Sequence, residues 1–292
     1  MASDAVNFAT RQERDAAYDA RNSVPPDVFA AALGEYRRRS QQALRLPGAA
    51  PDIVYDTVAK TTLDLFPAQA QGLSPAFIFI HGGAWQKLSS KDSAFMAENF
   101  TRHGISVVAI DYDLVPTVEV GEIVRQVRSA IAWLYHHGTE YGIDPQRLHI
   151  SGSSAGAHLS AMAMSRGWHD AARVPDTVIA SGCLFSGLYD MRPLQASSHN
   201  DPLKLDEAAA ARLSPALLPP AAVRSVDFYW AAGQPPGFGP QSRLYAQRLR
   251  AAGLAVTATE VSGRNHFDDV LDLSDPNSAI ARRCFAVIHG SA

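Results

Sequence analysis

Six short apolar runs alternate with amphipathic patterns through most of the chain, and this alternation is the strongest constraint on its fold. The runs are AFIFI (76–80), ISVVAI (105–110), RLHIS (147–151), VIASGCLF (178–185), VDFYWAA (226–232) and AVTATEV (255–261). Each is too short for a buried helix and rich in β-branched or aromatic residues, so each reads as a buried strand. Between and after them, apolar residues recur at helical spacing over Asp92–His103, Val120–His137, Ala155–Arg166, Gln241–Ala252 and Asn277–His289. Buried strands separated by helices predict an α/β fold: one mostly parallel sheet with helices on both faces. IVYDTV and TLDLF before the first run predict a hairpin-like start.

The flanks differ in texture. Residues 1–50 are polar and Ala-rich, with one helical pattern over Asp27–Arg39 after a Pro-Pro turn, and read as an N-terminal arm or cap. The Ala- and Pro-rich stretch 193–220 reads as an excursion from the sheet, a cap over its edge. No Gly/Ser linker divides the 292 residues, so a single domain is expected, large enough for a sizeable core. A net charge of −3 gives no basic field for nucleic acid. The N-terminus has no apolar signal-peptide core and no run reaches 18 apolar residues, which points to a cytoplasmic protein with no membrane partner. Cys183 and Cys284 are far apart and read as two buried free thiols. Nothing in the sequence fixes the oligomeric state, and a homodimer stays open.

Gly152-Ser153-Ser154-Ala155-Gly156 stands where a strand hands over to a helix. G-x-S-x-G in that context is a nucleophile elbow: small residues let the backbone turn sharply, and the helix N-terminus favours developing negative charge. The central position selects Ser154. His81-Gly82-Gly83-Ala84-Trp85 directly follows the first parallel strand. Paired glycines there can aim backbone amides at an oxyanion, so Gly82, Gly83 and Ala155 are the expected donors, His81 a brace and Trp85 a pocket wall. A general base is expected after the last strand, where SGRNHFDDV offers His266. The other histidines lie in helices, strands or loops away from such a position. No H-E-x-x-H, close cysteine pair, P-loop or strand-linked G-x-G-x-x-G is present, so the sequence implies no metal and no cofactor.

HGGAWQ, GSSAGAHL, SGLYD and NHFD, in this order and spacing, resemble the arylformamidase (kynurenine formamidase)-like branch of the α/β-hydrolases over about residues 50–287. The tetrapeptide Asp15-Ala16-Ala17-Tyr18 is similar to the arm of bacterial members. The resemblance implies a serine hydrolase that cleaves a small-molecule carboxylic ester or aryl formamide through an acyl-enzyme. Ser154 would be the nucleophile, His266 the base, and Gly82, Gly83 and Ala155 the oxyanion hole. Trp85, Tyr189 and Phe238 would line an aromatic-tolerant pocket. It also places Gln234 where related sequences carry a carboxylate. Either another carboxylate substitutes (Asp190 foremost, with Glu260 and Asp268 behind it), or Gln234 holds His266 in a Ser–His dyad, or the glutamine is an engineered exchange for glutamate. A non-catalytic, ligand-binding homologue is the reading from a different class. Lactone, amide and carbamate hydrolysis would use the same groups.

Overall fold

A computed structural model describes residues 8–291. Eight strands form one sheet: β1 (Ala50–Asp56), β2 (Thr61–Phe66), β3 (Ser74–Ile80), β4 (Ser106–Ile110), β5 (Ile143–Ser153), β6 (Ile179–Phe185), β7 (Ser225–Ala231) and β8 (Ala255–Val261). Their order is β1-β2-β4-β3-β5-β6-β7-β8. β1 and β2 form an antiparallel hairpin, β2 runs antiparallel to β4, and all remaining pairs are parallel. The chain leaves β3 toward β4 on one side and returns to β5 on the other. The sheet order therefore reverses between β3 and β5, and open α/β sheets bind ligands beyond the strand C-termini at such a crevice.

Strand alternation builds two cores. Ile78 and Ile80 of β3 and Val108 and Ile110 of β4 face one side, where α4 (Val120–His137), α5 (Ala155–Ala163) and α10 (Phe238–Ala251) pack. Phe77 and Phe79, with Val107 and Ala109, face the other, which is covered by α2 (Pro26–Ala43), α3 (Ala97–Arg102) and α11 (Ala279–His289). Side chains one residue apart on a strand point to opposite faces, so both cores come from the same apolar runs.

Several elements differ from the sequence expectations. β8 is an edge strand paired only to β7 and is largely half-exposed, which explains the Thr and Glu residues alternating within AVTATEV. The helix expected over Asp92–His103 is a 3₁₀ turn at Ser90–Asp92 followed by α3. Ser93 donates back to the Ser89 carbonyl at 2.8 Å and ends the turn. α10 begins at Phe238, three residues before the expected Gln241. The arm carries an additional helix, α1 (Arg11–Tyr18), closed by a capping box in which Thr10 and Glu13 satisfy each other's backbone amides.

The stretch after β6 holds three short helices, α7 (Arg192–Gln195), α8 (Asn200–Leu203) and α9 (Glu207–Arg212). A four-residue helix, α6 (His169–Ala172), precedes β6. The excursion does not shield a sheet edge. Leu194 and Leu203 face the same cavity as Ser154, so it roofs the strand C-termini. The arm ties it down: Asp15 accepts the Ser198 amide at 2.6 Å, and Arg14 donates to the Ala196 carbonyl at 2.9 Å. No helix among the described residues is long and apolar enough to cross a membrane.

Candidate active site

Ser154 sits between β5 and α5 with φ 55° and ψ −117°. A non-glycine residue there is strained by about 1–3 kcal/mol and persists only where its surroundings enforce it. The flanking glycines show how they do. A Cβ on Gly152 would lie 2.4 Å from the Gly156 carbonyl carbon and oxygen, and one on Gly156 would lie 2.0 Å from the Ile80 carbonyl oxygen. The elbow is thus pressed against itself and against the end of β3. The Ser154 amide donates to the Phe185 carbonyl at 2.9 Å, anchoring the turn to β6.

The loop after β3 meets the elbow from the other side. A Cβ on Gly82 would lie 2.8 Å from the Ser153 carbonyl oxygen, so glycine permits this approach. Gly83 has φ +94°, and its Cβ would overlap the Lys87 carbonyl. The amides of Gly82 and Gly83 donate to no acceptor among the described residues. Ala155, as the first residue of α5, has no intrahelical acceptor for its amide. His81 stacks on Tyr112 with ring centroids 4.0 Å apart, and the Tyr112 hydroxyl donates to the His81 carbonyl at 2.9 Å. His81 thereby braces the loop.

His266 follows β8, is buried, and lines the cavity that Ser154 lines. No hydrogen bond joins the two side chains among the described residues. The His266 Nδ1 lies 3.0 Å from Gln234 Oε1. With the amide oxygen turned to the ring, Nδ1 carries the proton and donates, and Nε2 is left with a lone pair. Burial pushes the His266 pKa down to about 4. Gln234 Nε2 is buried without a partner. The side chain thus offers the ring a hydrogen-bond acceptor and brings no charge.

The spare carboxylates are occupied elsewhere. Asp190 forms a two-pronged pair with Arg192, at 2.6 Å to Nη2 and 2.9 Å to Nε, and makes no bond to His266. Glu260 accepts from Trp230 Nε1 at 2.9 Å. Asp268 caps its own loop, taking the Asn265 amide at 2.6 Å and its side-chain amide at 2.8 Å.

Of the expected pocket residues, Trp85 and Phe238 line the cavity, and the Phe238 ring lies 4.4 Å from that of His266. Tyr189 does not. It is fully buried in the core, stacked on Tyr245 at 4.8 Å, because the backbone after β6 turns it toward α10.

Three residues escaped the sequence reading. Gln241 accepts the Tyr189 and Asp190 amides at 2.7 Å each and donates to the Tyr18 hydroxyl and the Asp190 carbonyl. It joins arm, cap and α10, and no local pattern marks it. Asp269 is buried beside Ser186, whose hydroxyl donates to it at 2.8 Å, and burial pushes its carboxyl up to about 8. The pair links the His266 loop to the end of β6, next to the elbow, with only the three-residue step from His266 as a signal.

Known proteins resemble this chain in sequence and in fold. A family model described as BD-FAE matches residues 63–181. Kynurenine formamidase of Danio rerio is 30% identical over 268 residues, covering 90% of this chain and 89% of the relative. That of Salmo salar is 32% identical over 256 residues, covering 85% of each. Among solved structures, the Pyrobaculum calidifontis esterase superposes with a TM-score of 0.73 over 97% of this chain and 99% of its own, at 15% identity, a likeness of fold. The identity with the two fish proteins, held over most of each chain, shows that this hydrolase belongs to the kynurenine formamidase family of α/β-hydrolases.

Proposed function

We propose that the protein is a serine hydrolase cleaving a carboxylic ester or an aryl formamide through an acyl-enzyme. One observation carries the reading: a serine in strained geometry, a buried histidine and two unpartnered backbone amides converge on a single cavity. His266 Nε2 takes the proton of Ser154 as Oγ attacks the carbonyl carbon. The oxyanion accepts hydrogen bonds from Gly82, Gly83 and Ala155. His266 returns the proton to the leaving oxygen or nitrogen as its bond to carbon breaks. Water then repeats the sequence, releasing the acid and restoring Ser154. Gln234 takes the acid's place as an acceptor for the Nδ1 proton. A cytoplasmic location, with Cys183 and Cys284 left as thiols, goes with this reading.

The test compares the native protein with Ser154→Ala on p-nitrophenyl acetate and N-formylkynurenine. Turnover is expected to fall by about a thousandfold or more in the variant. Equal turnover refutes the reading. The neutral Gln234 favours one second reading, a ligand-binding homologue that no longer turns over. A fluorophosphonate separates the two: labelling at Ser154 supports the hydrolase, and tight ligand binding without labelling supports the binder.

A further inference from the structure

Asp269 is a fully buried carboxyl that the chemistry proposed above does not use. It ends the loop 265–269, which follows β8 and carries His266. Among the described residues, side-chain hydrogen bonds tie this loop to other elements at Gln234, Tyr36 and Ser186. Gln234 accepts from the ring, and the Tyr36 hydroxyl donates to the Phe267 carbonyl from α2. Only the third tie leads to the nucleophile. Ser186 Oγ donates to Asp269 Oδ2 at 2.8 Å. Ser186 directly follows Phe185, whose carbonyl accepts the Ser154 amide at 2.9 Å, and its own amide donates to the Tyr229 carbonyl at 2.8 Å. The peptide unit between Phe185 and Ser186 thus binds the elbow with its oxygen and β7 with its N–H. The side chain it carries reaches the base loop. Ser186 adopts φ 46°, a conformation that non-glycine residues seldom take.

We infer that Asp269 and Ser186 are positioning residues: their hydrogen bond fixes the loop that carries His266 against the turn that carries Ser154, and so sets the distance over which the proton moves. The inference rests on the hydrolase reading and adds to it. Gln234 and Phe238 meet the ring itself, whereas this pair fixes how far the ring stands from the nucleophile. A buried carboxyl and hydroxyl contribute little to stability beyond what an apolar pair of the same shape would. What they supply is a bond of fixed length and direction. Asp269 is no substitute for the missing acid: no hydrogen bond joins it to His266 among the described residues, and its Oδ1 has no partner. Burial pushes its carboxyl up to about 8, so at neutral pH it is mostly protonated and offers the imidazolium no charge. General-base transfer needs hydrogen-bond reach, and misplacement by about 1 Å can lower a rate about 10²-fold.

The test measures kcat and KM separately on p-nitrophenyl acetate. It uses the native protein, Ser154→Ala, Ser186→Ala, Asp269→Ala, Asp269→Asn and the double variant Ser186→Ala/Asp269→Ala, with melting temperatures to show that each is folded. Ser186→Ala and Asp269→Ala should each lose about tenfold or more in kcat, with KM within about twofold of native. The double variant should fall no more than about threefold below the slower single one, because both exchanges remove the same bond. Asp269→Asn, whose amide oxygen accepts that bond, should recover kcat to within about threefold of native. Folded alanine variants that keep kcat within about twofold overturn the inference and leave the hydrolase reading standing. Losses that multiply in the double variant, or an Asp269→Asn variant no faster than Asp269→Ala, do the same. Ser186→Gly, which suits φ 46°, takes the place of an alanine variant that does not fold. Absence of any Ser154-dependent turnover in the native protein sinks the hydrolase reading. The pair is then judged on a crystal structure of the Ser186 variant. There residues 265–269 should shift from the elbow by on the order of 1 Å, and an unmoved loop overturns the inference.

Discussion

Gln234→Glu changes one charge at the most sensitive point of the site. Gln234 Oε1 already lies 3.0 Å from His266 Nδ1, so a glutamate can occupy the same position without rebuilding the loop. The new charge sits about 4 Å from the centre of the imidazolium, where Coulomb attraction at an effective dielectric constant of 20 is about 4 kcal/mol. That equals about three pK units. Burial alone now holds His266 near 4, so the variant's histidine should titrate toward 7. On the proposed mechanism the same attraction stabilises the imidazolium formed as Ser154 attacks. Discounting for solvent at the half-buried Gln234 side chain, kcat at pH 8 should rise by about 10² to 10³. In the protease triad, the reverse exchange of Asp for Asn lowers kcat about 10⁴-fold. The assay is p-nitrophenyl acetate hydrolysis from pH 4 to 9, with Ser154→Ala/Gln234→Glu as background. The native acid limb should lie near pH 4, and the variant should be faster at pH 8 but fall away below about pH 7. If the variant stays within threefold of the native protein and its acid limb does not move, Gln234 does not stand in the acid's place.

Three further outcomes follow from the buried groups. The folded-state pKa of Asp269 lies near 8, above its ordinary 3.8, so the folded protein keeps a proton that the unfolded chain releases between those values. That contribution to stability is lost as pH rises through this window, and Asp269→Asn should gain on the native protein by on the order of 2 kcal/mol more at pH 7 than at pH 5. A gain independent of pH, measured by urea unfolding, contradicts this. Gly156→Ala puts a Cβ 2.0 Å from the Ile80 carbonyl oxygen and should cost about 4 kcal/mol or more, or prevent soluble expression; a melting temperature within a few degrees of native is the contrary result. Cys183 and Cys284 are buried with sulfurs 3.4 Å apart, and burial pushes the Cys183 thiol well up. Ellman's reagent should find no thiol in the native protein and two after denaturation, and rapid native reaction would show that the core opens.

What the sequence disclosed of the site tracks how local each constraint is. The elbow was legible because its glycines touch each other: Gly152 and Gly156 are four residues apart and in direct backbone contact. Gly82 and Gly83 were legible because a tight loop after a strand needs them. Gln234 is placed by the family resemblance alone, since no local pattern marks it. Tyr189 was misassigned because its direction depends on a stack with Tyr245, 56 positions away, which no window shows. Helix α1 was missed although Thr10-Arg11-Gln12-Glu13 spells a capping box. Its apolar face is small, and it is held by the cap and the loop before α10, not by its own periodicity. The half-exposure of β8 depends on which strand the sheet ends with, a property of topology alone.

On the proposed mechanism a neutral residue serves in the acid's place, and the arm contacts support it in that position. The Gly237 amide donates to the Ala17 carbonyl at 3.0 Å, and a Cβ on Gly237 would lie 2.5 Å from the Tyr18 ring, so α1 packs directly on the loop that carries Gln234. Gln241 holds the Tyr18 hydroxyl at 3.0 Å, and Tyr18 packs edge-on against Phe238, which in turn lies against His266. The histidine ring is therefore positioned by packing from Phe238 and by an acceptor on a loop clamped from outside. An ordinary acid does two things at once, orienting the ring and stabilising its charge. On the proposed mechanism the first task is distributed over Tyr18, Phe238, Gln241 and the Gln234 oxygen, and only the second is left without a residue. That separation is why one isosteric exchange can test the electrostatic contribution without disturbing the geometry that surrounds it.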